Sequence, residues 1–457
     1  MKKLKKINPH LFKIIYLFYN KNLNYNLFKC EHIFEGINSN LDIIFLTKKD
    51  YQQAGKILEE SGYRLYLPES VEKYKRMYVK VQDDKLFAVH LHREIAWHNI
   101  KIMGKSSLFK RQVHLNEYLV VPSAEDSLLI HTAHILYENF KIRKREIDLL
   151  TPILKKNIDW NYINKQAKII GCQKEMHYVF KLIKNDRQIS KKYCQKTLIL
   201  KILRHPSCWL SFSGKLLKSI FRKISPKRKG CLISFIGVQG AGKTTMTRSL
   251  YDKYSEISSF FHGQFGYYFG WEPFSFYAKS LAKLMKKKNK KIFAENQDEE
   301  HQENKNQPRF NIFKELLFIY NYLEYLQRYW FVIYPQLRKG KLVITDRYFY
   351  DLYGMYSYAP KSIILKLLFR LYPRPDYTFL LAAKAETIAK RGKNPEVFSD
   401  VKKNDYRGYV NPQKIDDEQK RFYNLISVLP FKIIDTEDRI AVNVSKIINL
   451  SWRGLLK

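Results

Sequence analysis

Gly237-Val238-Gln239-Gly240-Ala241-Gly242-Lys243-Thr244 fits G-x-x-x-x-G-K-[ST] at every position. The apolar run Leu232 to Ile236 before it reads as a buried strand. Thr244 to Tyr254 after it reads as a helix. Glycines let such a loop wrap until backbone N–H groups point inward at phosphate oxygens. The helix N-terminus adds partial positive charge. Lys243 can reach the β- and γ-phosphates, and the Thr244 hydroxyl can hold Mg²⁺. Gly237, Gly240, Ala241, Gly242, Lys243, Thr244 and Thr245 are therefore the expected phosphate-binding residues.

The chain has 457 residues, room for two or three domains, and 45% hydrophobic content, enough for packed cores. Its formal charge of +39 favours polyanions such as nucleotides. No recognition motif accompanies that charge, so specific nucleic-acid binding is not expected. Cys30, Cys172, Cys194, Cys208 and Cys231 are scattered, odd in number and form no C-x-x-C. These cysteines indicate neither zinc nor a disulfide framework, and a reducing cytoplasm fits. Met1 to Asn20 is basic and apolar, but Lys13 interrupts it and no small-residue cleavage site follows. An amphipathic helix is the expectation there. Phe310 to Tyr334 is apolar with Asn321, Glu324, Gln327 and Arg328 inside it, which predicts a buried helix and no membrane span.

Leu41 to Leu46, Met77 to Gln82 and Leu86 to Arg93 read as strands, and Asp50 to Ser61 as a helix. Ser123 with Asp126 caps a helical stretch, with further helices over 145–155, 158–170 and 173–184. No carboxylate occurs between Asp186 and Asp252. Residues 215–224 form a basic amphipathic pattern, able to touch an anionic membrane surface weakly or to serve as a solvated connector. The domains are expected at 1–205 and 230–457, joined by a basic linker at 206–229. Residues 286–308 are a polar insert with too few apolar residues to pack, expected to be a mobile loop. Lys341 to Thr345, Tyr377 to Ala382 and Phe431 to Ile434 alternate with helical stretches, the order of a parallel sheet.

Leu342-Val343-Ile344-Thr345-Asp346-Arg347-Tyr348 puts a carboxylate directly after a buried strand, where Mg²⁺ is held in such folds. Arg347 beside it can clamp a phosphate bidentately. From about Gly230 onward the chain resembles the thymidylate kinase family. The phosphate loop (the P-loop or Walker A pattern), Pro335, Gly340, Asp346-Arg347-Tyr348 and Pro375-Asp376-Tyr377 all fall as in that family. Ala389-Lys390-Arg391-Gly392-Lys393 sits where the family carries a basic lid. The resemblance implies ATP, Mg²⁺ and phosphoryl transfer to a nucleoside monophosphate, with dTMP as first candidate. It implies catalytic roles for Lys243, Asp346, Arg347 and Arg391, metal binding by Thr244 and Asp346, and acceptor or lid roles for Arg347, Tyr348, Arg328 and Lys393. The acceptor side departs from the pattern. Gln239 replaces an acidic residue, Trp271 precedes Glu272-Pro273 in place of an arginine, and Tyr325 stands where an arginine is usual. The aromatic stretch Phe265 to Trp271 can form a stacking pocket or ordinary core.

Phe34 to Ile43, with Gly36, Asn40 and Asp42, resembles the Gly…Asp-x-Asp segment of nucleotidyltransferases, and Val89-His90-Leu91-His92 resembles the strand bearing the third carboxylate. The first domain is similar to a family of uncharacterised nucleotidyltransferases. Asn40, Asp42 and His90 then stand at a degenerate metal site, with Asp83 and Asp84 as the other carboxylates to consider. His131, His134 and Asp148 are read as helix-packing or hydrogen-bonded residues rather than ligands.

The expected architecture is an α/β P-loop kinase, a parallel sheet flanked by helices, preceded by an α+β nucleotidyltransferase-like domain with a helical C-terminal part. Nucleotides are the expected substrates, and a homodimer is compatible with the chain. The alternatives are a kinase acting on a sugar or lipid-linked glycan, and a nucleotide-binding regulatory or scaffold protein with little turnover.

Overall fold

The structure, a computed structural model, describes residues 8–29, 40–97, 100–204, 230–261, 263–269, 312–392, 411–427 and 429–456. The chain divides into two compact units, Met1–Ser225 and Pro226–Lys457. The expected linker at 206–229 with its basic pattern at 215–224, the insert at 286–308, Trp271 to Pro273, Gly36 and Lys393 lie outside the described residues.

The first unit opens with α1 (Pro9–Asn20), started by Asn8, whose side chain accepts from the His10 N–H at 3.0 Å. Its mixed sheet has the order β1-β2-β5-β4-β3, formed by β1 (Tyr25–Leu27), β2 (Asn40–Phe45), β3 (Arg64–Leu67), β4 (Lys75–Gln82) and β5 (Lys85–His92). The helix α2 (Lys48–Glu60) is capped by Thr47. Strand alternation sorts the side chains. Leu41, Ile43, Phe45, Phe87, Val89 and Leu91 join Leu11, Ile14 and Phe18 of α1 and Tyr51 of α2 in one core. Ile44 packs into a second core with Phe28, Trp97 and the helices α3 (Lys105–Lys110) to α8 (Lys191–Arg204). Among these, α4 (Ala124–His134) starts at Ser123, which accepts from the Asp126 N–H at 3.1 Å. Asp42, His90 and His92 alternate with the first core's residues and therefore share the opposite face of the sheet.

The second unit is built on a five-stranded sheet in which every pairing is parallel. Its strands are β6 (Cys231–Ile236), β7 (Gln264–Tyr268), β8 (Leu342–Asp346), β9 (Tyr377–Ala382) and β10 (Lys432–Asp435), in the order β7-β8-β6-β9-β10. The central β6 and β8 are buried at every position, as their continuous apolar runs require. Asp376 fixes the start of β9: its side chain accepts from the Leu232 N–H at 2.7 Å. The phosphate-loop helix α9 (Lys243–Phe260) follows β6 directly.

The helix α10 (Ile312–Arg328) is not the wholly buried helix that its apolar composition predicts. Glu315, Glu324 and Arg328 face inward, with Glu315 accepting from the Tyr358 and Ser362 hydroxyls at 3.1 and 2.6 Å. Satisfying these polar groups inside leaves Ile312, Leu316 and Leu323 outside. Of the aromatic stretch, Phe269 joins the core, fully buried and stacked on Tyr325 at 5.4 Å, while Tyr268 is exposed. Among the described residues, no helix is long and apolar enough to cross a membrane.

Candidate active site of the C-terminal unit

The turn from β6 into α9 uses three glycines in conformations that L side chains rarely adopt, with φ of 140° at Gly237, 82° at Gly240 and 91° at Gly242. A Cβ at Gly237 would lie 2.6 Å from the Leu381 carbonyl oxygen. The loop therefore depends on glycine both for its dihedrals and for its contact with β9. Gly242 is the N-cap of α9 and makes no side-chain cap, so the first N–H groups of that helix have no side-chain acceptor from the cap.

Lys243 is buried, and its ammonium donates to the Gly237 and Val238 carbonyls at 2.6 and 2.7 Å. Burial, then the nearby Arg347 charge, pushes its pKa below the usual lysine range. The Thr244 hydroxyl donates to Asp346 Oδ2 at 2.6 Å, across 102 residues of sequence. Asp346 Oδ1 is buried and, among the described residues, has no hydrogen-bond partner. A hard cation takes oxygen ligands. The Thr244 hydroxyl and the Asp346 carboxylate, with its unspent Oδ1, therefore fit Mg²⁺ beside the phosphate loop.

Arg347 has φ of 71°, unusual for a long side chain, and pairs with Asp351 Oδ2 at 3.5 Å. Asp351 starts the short helix α11 (Asp351–Met355), and its Oδ1 accepts from the Gly237 N–H at 3.2 Å. Burial raises the Asp351 pKa to about 6 against the opposing pull of Lys243 and Arg347. Glu418, on α12 (Pro412–Asn424), is also buried and its pKa is likewise raised by burial within the field of Lys243. Neither Asp351 nor Glu418 stands out in the sequence. The only signal for Asp351 is its spacing of four from Arg347, which reads as a pair only once a helix is known to start there.

The remaining expected site residues are placed differently. Tyr348 is fully buried, with its ring in the core and its hydroxyl donating to the Pro373 carbonyl at 2.8 Å. Arg328 is buried, 3.4 Å from Glu324, with its guanidinium over the Tyr325 ring. Arg391 donates to the Thr436 carbonyl at 2.8 Å and to its hydroxyl at 3.2 Å, which ties it to the end of β10. Ala241 is buried in the loop, and Thr245 is exposed on the first turn of α9.

The N-terminal unit gathers a different set. Asp42 on β2 lies opposite His90 on β5 in the parallel register. His92 Nε2 is 3.0 Å, Lys29 Nζ 3.4 Å and His90 Nδ1 3.6 Å from the same Asp42 oxygen, Oδ1. Burial pushes Asp42 up, but Lys29, His90 and His92 outweigh it and hold the carboxyl well below its usual range. Burial lowers His90 to about 3 and His92 to about 4, so both rings are neutral near pH 7. Asp83 and Asp84 turn the β4–β5 hairpin, and Asp83 pairs with His10 at 3.2 Å. Five residues of strand, roughly 17 Å, separate that end of β5 from His90, so these carboxylates do not complete the cluster. His134 pairs instead with Glu138 at 3.3 Å, and Asp148 is exposed.

A parallel sheet with a phosphate loop after its central strand, flanked by helices, defines the C-terminal unit as a P-loop kinase fold. Residues 278–447 match the family model described as Thymidylate kinase, which supports a phosphotransferase. Residues 39–185 match the model described as Uncharacterised nucleotidyltransferase. A comparison with curated proteins gives no match. Among solved structures, thymidylate kinase from Ehrlichia chaffeensis is 18% identical, covers 48% of this chain and 98% of its own, and has a TM-score of 0.29. Thymidylate kinase from Candida albicans is 20% identical, covers 50% and 94%, and has a TM-score of 0.32. Deoxyadenosine kinase from M. mycoides with bound dATP is 15% identical, covers 48% and 98%, and has a TM-score of 0.28. Superpositions this loose decide nothing about activity.

Proposed function

We propose that the C-terminal unit transfers the γ-phosphoryl group of ATP, with Mg²⁺, to a nucleoside monophosphate, dTMP being the first candidate. The observation that carries this reading is the 2.6 Å contact between Thr244 and Asp346 beside a glycine-dependent loop. The loop N–H groups bind the donor phosphates. Lys243 exchanges two neutral carbonyl acceptors for charged phosphate oxygens, which are stronger partners. Mg²⁺, held by Thr244 and Asp346, supplies charge neutralisation at the donor phosphates. Arg347, oriented by Asp351, faces the acceptor phosphate, and Arg391 with Lys393 serves the lid side. Positioned cations account for most of the rate because the transition state spreads charge over oxygens.

A second reading, transfer to a sugar or lipid-linked glycan, has one observation in its favour. Tyr325 is spent on stacking with Phe269, and Arg328 is paired with Glu324, so the cations available to a nucleotide acceptor are fewer. ATP consumption measured with each acceptor class, in Mg²⁺ and then in excess chelator, tests the proposal. Chelator-sensitive turnover that requires a nucleoside monophosphate supports it. Turnover that requires only a glycan acceptor replaces it with the second reading, and turnover indifferent to chelator removes the Mg²⁺ assignment.

A further inference from the structure

Asp42, His90 and His92 are spent on no step of the phosphoryl transfer proposed above. They belong to the N-terminal unit, and one ligand atom from each lies within 4.8 Å of the others. The fold brings them together by two simple rules. Parallel register sets Asp42 beside His90, and the period of two along β5 puts His92 on the same face. The ligand–ligand distances from Asp42 Oδ1 are 3.0 Å to His92 Nε2 and 3.6 Å to His90 Nδ1. Bonds of about 2.0–2.1 Å in a tetrahedral zinc site imply edges of roughly 3.3 Å, so these distances bracket the required spacing.

A second, independent observation points to a ligand. Both ring nitrogens of His90 are buried, and among the described residues neither has a hydrogen-bond partner. A buried unsatisfied polar group is costly, and a native fold rarely keeps one without a reason. Lys29, whose backbone has a left-handed φ of 56°, places its ammonium 3.4 Å from Asp42. Lys29 balances the Asp42 charge and in that position competes with any cation for the same oxygen.

We propose that Asp42, His90 and His92 form a two-histidine, one-carboxylate binding site for a zinc-class divalent transition metal. Imidazole nitrogen selects zinc over magnesium, which prefers oxygen ligands. Three protein ligands leave a fourth position for water or a small ligand. The His92 Nε2–H that now donates to Asp42 moves to Nδ1, which frees the Nε2 lone pair. The proton count of the neutral ring is unchanged. Lys29 withdraws from Asp42 as the metal enters.

The test uses the full chain, stripped with chelator and titrated with Zn²⁺, and with Co²⁺ as a visible-absorbing substitute. One equivalent of Zn²⁺ is expected, with a Co²⁺ spectrum of nitrogen and oxygen ligation and no thiolate band. His90→Gln should weaken Zn²⁺ binding by at least about 100-fold, since losing a ligand exceeds the loss of an outer partner. Asp42→Asn, nearly isosteric, should weaken it similarly, with thermal unfolding checked for both variants. Lys29→Gln should tighten it by about tenfold by removing a like charge. A tenfold excess of Mg²⁺ should not compete. Unchanged Zn²⁺ affinity in His90→Gln and Asp42→Asn, a thiolate band in the Co²⁺ spectrum, or no bound equivalent in either the natural chain or Lys29→Gln would overturn the proposal.

Discussion

Asp351 accepts a hydrogen bond from the Gly237 N–H at 3.2 Å, and so ties the first glycine of the phosphate loop to the residue that pairs with Arg347. One buried carboxylate thereby links the donor-side loop to the arginine proposed for the acceptor. Its pKa is raised by burial to about 6. A carboxylate raised above its unfolded value near 3.9 stabilises the fold most at low pH, and that contribution is lost as pH rises through 6. Asp351→Asn lacks this term. Its stability relative to the natural chain should therefore improve by up to about 3 kcal/mol between pH 4 and pH 7.5. Denaturant unfolding at both pH values measures the difference. A relative stability that falls with pH would show that the ion pair with Arg347 outweighs burial.

Lys243 gives a prediction of loss without unfolding. Its ammonium is buried against two loop carbonyls, at a cost that its depressed pKa records. Lys243→Ala should reduce phosphoryl transfer by ~10²–10³, the scale for removing a transition-state charge stabiliser. The unfolding midpoint should hardly move. Full activity in this variant would remove Lys243 from the mechanism.

Thr244 and Asp346 should separate by chemistry. Thr244→Ser keeps the hydroxyl that reaches Asp346 and should keep most activity. Thr244→Val and Asp346→Asn each remove an oxygen ligand or its charge and should raise the Mg²⁺ concentration needed for half-maximal rate by about tenfold or more. Magnesium titrations of the initial rate read this directly. Identical titrations in all three variants would mean that the pair is structural.

Arg347 should act on the acceptor. Arg347→Ala should raise the acceptor KM and leave ATP affinity near normal, since the loop and Lys243 hold the donor. An unchanged acceptor KM would make Arg347 a partner for Asp351 and nothing more.

The N-terminal unit should not carry out Mg²⁺-dependent nucleotidyl transfer. That reaction needs converging carboxylates, and among the described residues the cluster at Asp42 offers one carboxylate, two imidazoles and an ammonium. The full chain bearing Lys243→Ala, incubated with nucleoside triphosphates and Mg²⁺ or Mn²⁺, should release no pyrophosphate. Release that disappears on adding Asp42→Ala would contradict this.

Legibility in the sequence follows the range of the interactions. The phosphate loop is a local motif, and its strand and helix are found where the sequence puts them, as Cys231–Ile236 and Lys243–Phe260. Strands read as Leu41 to Leu46 and Leu86 to Arg93 are Asn40–Phe45 and Lys85–His92, shifted by one residue. Residues that depend on tertiary pairing were harder. Asp351 becomes informative only when Gly237, 114 residues earlier, is beside it. His92 joins the Asp42 cluster through register, which a single strand does not reveal. Tyr348 follows an informative Asp-Arg pair, yet its neighbours Phe349 and Tyr350 are also buried, and local pattern cannot sort such a row. In α10 Glu315 and Arg328 face inward beside Phe318 and Tyr325, so apolar content alone does not mark the inward face.

The most direct measurement is transfer of a radiolabelled γ-phosphate from ATP over a panel of nucleoside monophosphates, sugars and lipid-linked glycans, with the product identified by mass. The prediction is a labelled nucleoside diphosphate, formed with Mg²⁺ and lost in Lys243→Ala. Label found only on a sugar or glycan, or on no acceptor while ATP still binds, would contradict it.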